Sequence, residues 1–167
     1  MLTTSLRTII AAQLRRQADL SMPADSLRLT LLGDLSDGSD SGEADQLWHD
    51  TRQLAAEAAE SIDLAGVLIN NVGEPVSLEA VKVLLVSTLG KNNQGPVRVG
   101  PAAVNGWLGP WGDASDHLVL VPESYLLLAS TGAGWPVVAG TGDLLSIDNP
   151  STEHPLSYDI VVIGVNA

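Results

Sequence analysis

Two rhythms of apolar and polar positions divide the chain. Near the start, Leu2, Leu6, Ile9, Ile10 and Leu14 recur at spacings of four, three, one and four, with Arg7 and Arg15 off the stripe. That spacing predicts a short amphipathic helix over residues 2–18. It should end near Asp19, because Met22-Pro23 disfavours continuation. Such a helix either packs on its own domain or acts as an arm that docks on a neighbour. "SLRLTLLGDL" follows, where Leu27, Leu29 and Leu31 alternate with Arg28 and Thr30 in a strand-like pattern. Residues 33–45, "GDLSDGSDSGEAD", are Gly, Ser and acid, hence a loop.

Residues 44–61, "ADQLWHDTRQLAAEAAES", are ambiguous. Ala, Glu, Gln and Leu favour a helix over about 51–60. Leu47, His49, Thr51 and Trp48, Asp50, Arg52 also fit the two faces of an edge strand. After Ser61 the pattern is β. Strand-like runs such as "VSLEAVKVLLVSTL", "VRVG", "HLVLV" and "SYLLLAS" are separated by turn signals about every 8 to 14 residues. Parallel α/β would need helical crossovers between these runs, and the spacing leaves no room for them. The expected fold is mainly β: an antiparallel two-sheet sandwich of the jelly-roll type, with a short N-terminal helix or arm. Residues 1–43 form the arm and acidic loop, and 44–167 form the sandwich domain.

The last strand raises a separate question. Tyr158, Ile160 and Val162 fill one face, while Val161, Ile163 and Val165 fill the other. An isolated sandwich turns one strand face to the core and the other to water. The second face therefore needs a cover, either the N-terminal helix or another copy of the chain, and the copy is the expectation. Val161→Asp should then give monomers or unfolded protein.

Charge narrows the partners. The chain carries −12, with only eight Lys and Arg. Too few cations are present to displace counterions from nucleic acid. Residues 1–33 hold Arg7, Arg15, Arg16 and Arg28 against Asp19 and Asp25, a balance of +2, so the remainder carries −14. No apolar run approaches the ~20 residues of a membrane helix. The start, interrupted by Arg7 and the Arg15-Arg16 pair, does not read as a secretory signal. There is no cysteine, so disulfides and thiolate sites are excluded.

Candidate chemistry is sparse. His49, His117 and His154 each have an acid beside them but lie far apart and in or near turns. Asp34, Asp37, Asp40, Glu43 and Asp45 invite calcium, yet their spacing departs from the alternate-position ligands of an EF-hand loop. "GTGD" at 140–143 continues into a strand, whereas a phosphate cradle opens a helix. No nucleophile elbow is present. The expectation is no enzyme, with no catalytic, cofactor or metal residues. Trp107 and Trp111 share the loop "GWLGPWG". They either anchor an interface or cap one end of the sandwich.

Three stretches, "GEADQLWHDTRQLAAEAAESIDLAGVL", "VNGWLGPWGDASDHLVLVPESYLLL" and "WPVVAGTGDLLSIDNP" with the closing "SYDIVVIG", resemble a group of small virion proteins of tailed bacteriophages. The resemblance runs in order over about residues 42–165. It implies a capsid decoration or cement protein with a jelly-roll core. Such a protein binds the outside of the phage head, on the virion surface, and reinforces contacts between major capsid subunits. It would be made in the host cytoplasm. The implied partners are the major capsid protein and the chain itself, as a homo-oligomer with a trimer favoured over a dimer. The resemblance also favours strand, not helix, across 44–61. The alternatives are a head-fibre or tail module that binds a receptor or glycan, and a small β-rich hydrolase.

Overall fold

The computed structural model describes residues 1–66 and 68–166, and these contain no helix. None is therefore long and apolar enough to cross a membrane. The first two strands, β1 (Thr4–Arg15) and β2 (Ala24–Leu35), pair only with each other as an antiparallel hairpin. The expected N-terminal helix is thus corrected to a strand. Leu6, Ile10 and Leu14 share one face of a strand as well as of a helix, and β2 supplies a pairing partner for every residue of β1.

The body follows as β3 (Gln46–Leu54), β4 (Ala59–Asp63), β5 (Leu68–Ile69), β6 (Pro75–Val76), β7 (Leu78–Ser87), β8 (Val97–Pro101), β9 (Leu118–Leu120), β10 (Tyr125–Ala129), β11 (Trp135–Pro136), β12 (Leu144–Asp148) and β13 (Leu156–Asn166). One sheet has the order β10-β7-β13-β3, with β11 also on β7, and the other has the order β4-β12-β8-β9. Setting aside the short β5, β6 and β11, the body has eight strands. The first pairs with the last, the second with the seventh, the third with the sixth and the fourth with the fifth. That is one long antiparallel ribbon rolled on itself, a jelly roll.

The helical option over 51–60 is corrected too. β3 and β4 flank a tight turn at residues 55–58, where Ala58 N–H donates to Ala55 O and Glu57 takes a left-handed φ of 58°. "AAEAAE" has helix propensity, but strand pairing on both sides overrides it. β3 pairs with β13 through Trp48↔Val162 and Leu54↔Leu156.

The core lies between the sheets. Ile160, Val162, Leu84 and Val86 meet Ile62, Val97, Val99, Leu145 and Ile147, all buried. Simple alternation fails at two places in β7, at Glu79 and at Lys82, and the second reverses the faces of the core residues. Ile163 pairs with Val83, but Gly164 pairs with Val81, so the ladder skips Lys82. Val81 therefore faces the core beside Leu84 and Val86, while Val83 joins a second cluster on the outer face. Gly164 is needed at this bulge, since a Cβ there would lie 2.2 Å from Ala80 O.

That second cluster answers the question of the last strand. Leu35, Ala44, Val83 and Ile163 are buried together, with Leu2, Leu6, Leu47, Leu127 and Val161 packed around them. Ile163 and Val165 are covered within the chain, and Val161 is half-buried. The cover on Ile163 comes from the N-terminal segment, in strand form. The expectation that a second copy covers this face is corrected.

Candidate interaction surface

The hairpin's register sorts its side chains into two chemical faces. Directly opposed residues share a face, and alternate residues change face. Leu6↔Gly33, Thr8↔Leu31, Ile10↔Leu29, Ala12↔Leu27 and Leu14↔Asp25 make one face, mainly aliphatic, with Asp25 at its tip end. Arg7↔Leu32, Ile9↔Thr30, Ala11↔Arg28, Gln13↔Ser26 and Arg15↔Ala24 make the other, which carries all three arginines of the paired strands. The strands span about 40 Å at ~3.4 Å per residue. A hairpin loop closes the tip, with Arg16 N–H donating to Pro23 O and Ala18 N–H to Ser21 O.

The body does not cover the aliphatic face. Ile10, Leu14, Leu27, Leu29 and Leu31 are 44–72 % exposed, and Leu20 and Met22 at the tip are also exposed. Full burial of such a side chain is worth roughly 1.5–3 kcal/mol, so these five forgo on the order of 4–8 kcal/mol in the isolated chain. A lone two-stranded hairpin is at best marginally stable in water. An uncovered apolar strip of this length marks an interaction surface.

Only the foot is anchored. Leu6 and Leu35 enter the second cluster, and Leu2 N–H donates to Asp37 Oδ1 at 2.6 Å. Gly33 allows close approach, since a Cβ there would lie 2.8 Å from Thr131 Cγ2. Between the foot and the outer face of β10 runs an apolar groove of about 450 Å³, lined by Leu6, Leu31, Tyr125, Leu127 and Ala129 among others. Lys82 ties down the adjoining loops. It is buried, and its Nζ donates to Gly132 O at 2.5 Å and to Asp40 O at 3.4 Å. Sequence reasoning missed both features, because Lys82 reads as one solvent-facing residue of an alternating strand and the groove joins segments ninety residues apart.

Three carboxylates of the acidic loop accept backbone N–H bonds, Asp37 among them from Leu2. Glu43 accepts from Asp40 N–H, and Asp45 accepts from Asn166 N–H. Among the described residues, no three of His, Asp and Glu gather as a metal set. The histidines line three separate grooves. His49 bonds Asn71 at 3.2 Å, His117 Nδ1 lies 3.3 Å from Ser115 O, and His154 is 3.7 Å from Glu153.

Trp107 is fully buried and donates from Nε1 to Pro136 O at 2.8 Å, so it caps the sandwich and is not a surface anchor. Trp111 is half-buried against the same core. Trp48 is buried and Trp135 half-buried, which leaves no exposed indole.

Two polar networks brace the body. Arg52 donates to Glu60 and Asp50, and Tyr158 OH donates to Glu60 Oε1 at 2.5 Å, linking the two sheets. Burial, then the bond to Glu60, pushes the Tyr158 phenol far above its ordinary value. The bond to Glu60 raises Arg52. Lys91 Nζ and Thr51 Oγ1 both donate to Asp159 Oδ1, at 2.6 and 2.5 Å. Burial alone would raise Asp159, but these bonds outweigh it and hold the carboxyl below its usual range.

Comparison with known proteins adds little. No family model matches the chain. No curated protein matches it either. A chain from the solved structure described as "Bacillus endospore appendages form a novel family of disulfide-linked pili" is similar at 12% identity, with a TM-score of 0.36, over 79% of this chain and 98% of that one. A likeness this distant carries no argument about what this chain does.

Proposed function

We propose that this chain is a structural protein of a tailed-phage virion. It binds the outer surface of the head and stabilises contacts between major capsid subunits, acting as a homo-oligomer. The observation that carries this reading is the contrast between a closed jelly-roll body and a long two-faced arm whose aliphatic side the body leaves bare. An arm of about 40 Å can reach across a seam between subunits, where the body alone would sit on one side of it. The resemblance of residues 42–165 to small phage virion proteins supports the same reading and favours a trimer.

The arm supplies two kinds of contact. Its aliphatic face contributes affinity by leaving water. Arg7, Arg15 and Arg28 on the other face suit an acidic partner surface. We assign no catalytic role, because the three histidines lie in separate grooves. A glycan-binding module is less well supported, since sugars stack on open aromatic faces and, with no indole exposed, Tyr125 is the one aromatic side chain open to water.

The test is co-sedimentation with phage heads that lack the protein. The full chain should bind saturably. A variant with residues 9–30 replaced by a two-residue turn keeps the anchored foot, and it should bind at least about tenfold more weakly with an unchanged body melting temperature. Full-strength binding by the shortened chain, or no binding by the full chain, would contradict the proposal.

A further inference from the structure

Natural sheets keep exposed edges short or charged, which blocks unwanted pairing. The body obeys this rule. Its edge strands β9, β4 and β10 have three, five and five residues, and β3 carries Asp50 and Arg52. The arm's β1 does not. It runs for 12 residues, contains no proline, and its ladder with β2 shows no register shift. β2 takes one edge of β1, and among the described residues no strand takes the other. The phase of the hydrogen bonds is fixed at the tip, where Arg16 N–H donates to Pro23 O. Opposed residues alternate between bonded and unbonded pairs, so the even-numbered residues of β1 bond to β2. The N–H and C=O groups of Ser5, Arg7, Ile9, Ala11, Gln13 and Arg15 therefore point outward. From Ile9 to Arg15 every residue of the strand is exposed.

We propose that the free edge of β1 takes up an extended segment of another protein by strand addition, and that aliphatic and acidic side chains alternate along that segment. Main-chain bonds to the outward groups supply the pairing, and the side chains of β1 select the partner. Directly opposed residues share a face. Leu6, Ile10 and Leu14 on one face call for aliphatic partners, while Arg7 and Arg15 on the other call for carboxylates. β1 itself holds no acid. The edge of β2 does not suit the same segment, because Asp25 and Asp34 outnumber Arg28 there. A second copy does not offer such a segment. Its β1 has no acid, and Asp25 and Asp34 of its β2 lie on opposite faces, so they cannot both oppose Arg7 and Arg15. This inference concerns the arm's edge and not its faces, and it holds whether or not the partner is a shell protein.

The experiment uses the full chain and a fluorescent peptide, Glu-Val-Thr-Val-Thr-Val-Thr-Val-Glu-Val, whose two Glu oppose Arg15 and Arg7 in antiparallel register. Anisotropy of the peptide at nanomolar concentration should show saturable binding as the chain is added. A peptide with Lys in place of both Glu should bind at least about tenfold more weakly. Arg7→Glu with Arg15→Glu should reverse that preference. Ala11→Pro removes one outward N–H and none of the bonds to β2. It should weaken peptide binding at least about tenfold while the circular dichroism and body melting stay unchanged. No binding of the Glu peptide up to submillimolar chain would overturn the proposal, as would binding indifferent to Ala11→Pro or to the charge reversal. Peptide binding that fades as the chain concentration rises would put a second copy on the edge and overturn it as well. Peptide binding by a chain that does not bind heads would count against the shell reading alone.

Discussion

The sandwich body and the hairpin arm use the same aliphatic residues in the same alternation, and they end in opposite environments. In the body, Ile62, Leu145, Ile147 and Ile160 lie at 0–3 % exposure between two sheets. In the arm, Ile10, Leu29 and Leu31 alternate just as regularly and remain about half open to water. Alternation sets which face is apolar, whereas the count of layers decides whether that face is covered. The body has two sheets and covers itself. The arm has one ribbon and does not, so its aliphatic face stays open to water in the single chain.

The contrast can be broken at its strongest point first. Trp107→Ala removes a buried ring and its bond to Pro136 O, and should cost about 3–5 kcal/mol of body stability by thermal or denaturant unfolding. Leu29→Ala, equally aliphatic but on the arm, should change monomer unfolding by less than about 0.5 kcal/mol. Comparable losses at the two sites would show that the arm is part of the folded core. Next comes the joint between the regions. Gly33→Val meets Thr131 at the foot and should cost about 1–3 kcal/mol by overpacking, loosening the arm while the two sheets persist.

How far the residues announced this arrangement differs between the regions. The body was legible, because "VSLEAVKVLLVSTL" and "SYDIVVIGVNA" are too rich in β-branched residues to be surface helices and turn signals bound them. The arm was not, because Leu6, Ile10 and Leu14 suit a helix and a strand alike and only the pairing with Leu27, Leu29 and Leu31 decides. The run Thr8-Ile9-Ile10 was the available signal for strand. The bulge at Lys82 was hidden because a skipped residue leaves no mark in composition, yet it reverses the faces on either side of it. Trp107 looked equally suited to an interface and to a cap, and its neighbours in space, not in sequence, settle the matter.

Smaller effects sharpen the picture of the body. Tyr158 has a raised pKa in the folded state, so its contribution is fully present below the ordinary tyrosine range near ~10 and is lost as pH rises above it. Tyr158→Phe should cost about 1 kcal/mol at neutral pH and flatten the alkaline loss of stability, as read by denaturant midpoints across pH. Asp159 has a lowered pKa, so its contribution is present above the usual carboxylate range and is lost as pH falls through and below it. Asp159→Asn should cost no more than about 1 kcal/mol, because the pair with Lys91 is partly open to water, and should reduce the acid sensitivity. Neither variant should alter association, since both networks lie away from the arm.

The most direct measurement is amide hydrogen exchange across residues 4–35, followed as the full chain is diluted from tens of micromolar to nanomolar. If the arm's second layer comes from another molecule, protection of β1 and β2 beyond the foot falls on dilution, while protection of β7 and β13 in the body stays constant. Arm protection that holds at every concentration and matches the body would contradict the account, because the hairpin would then be stable on its own chain.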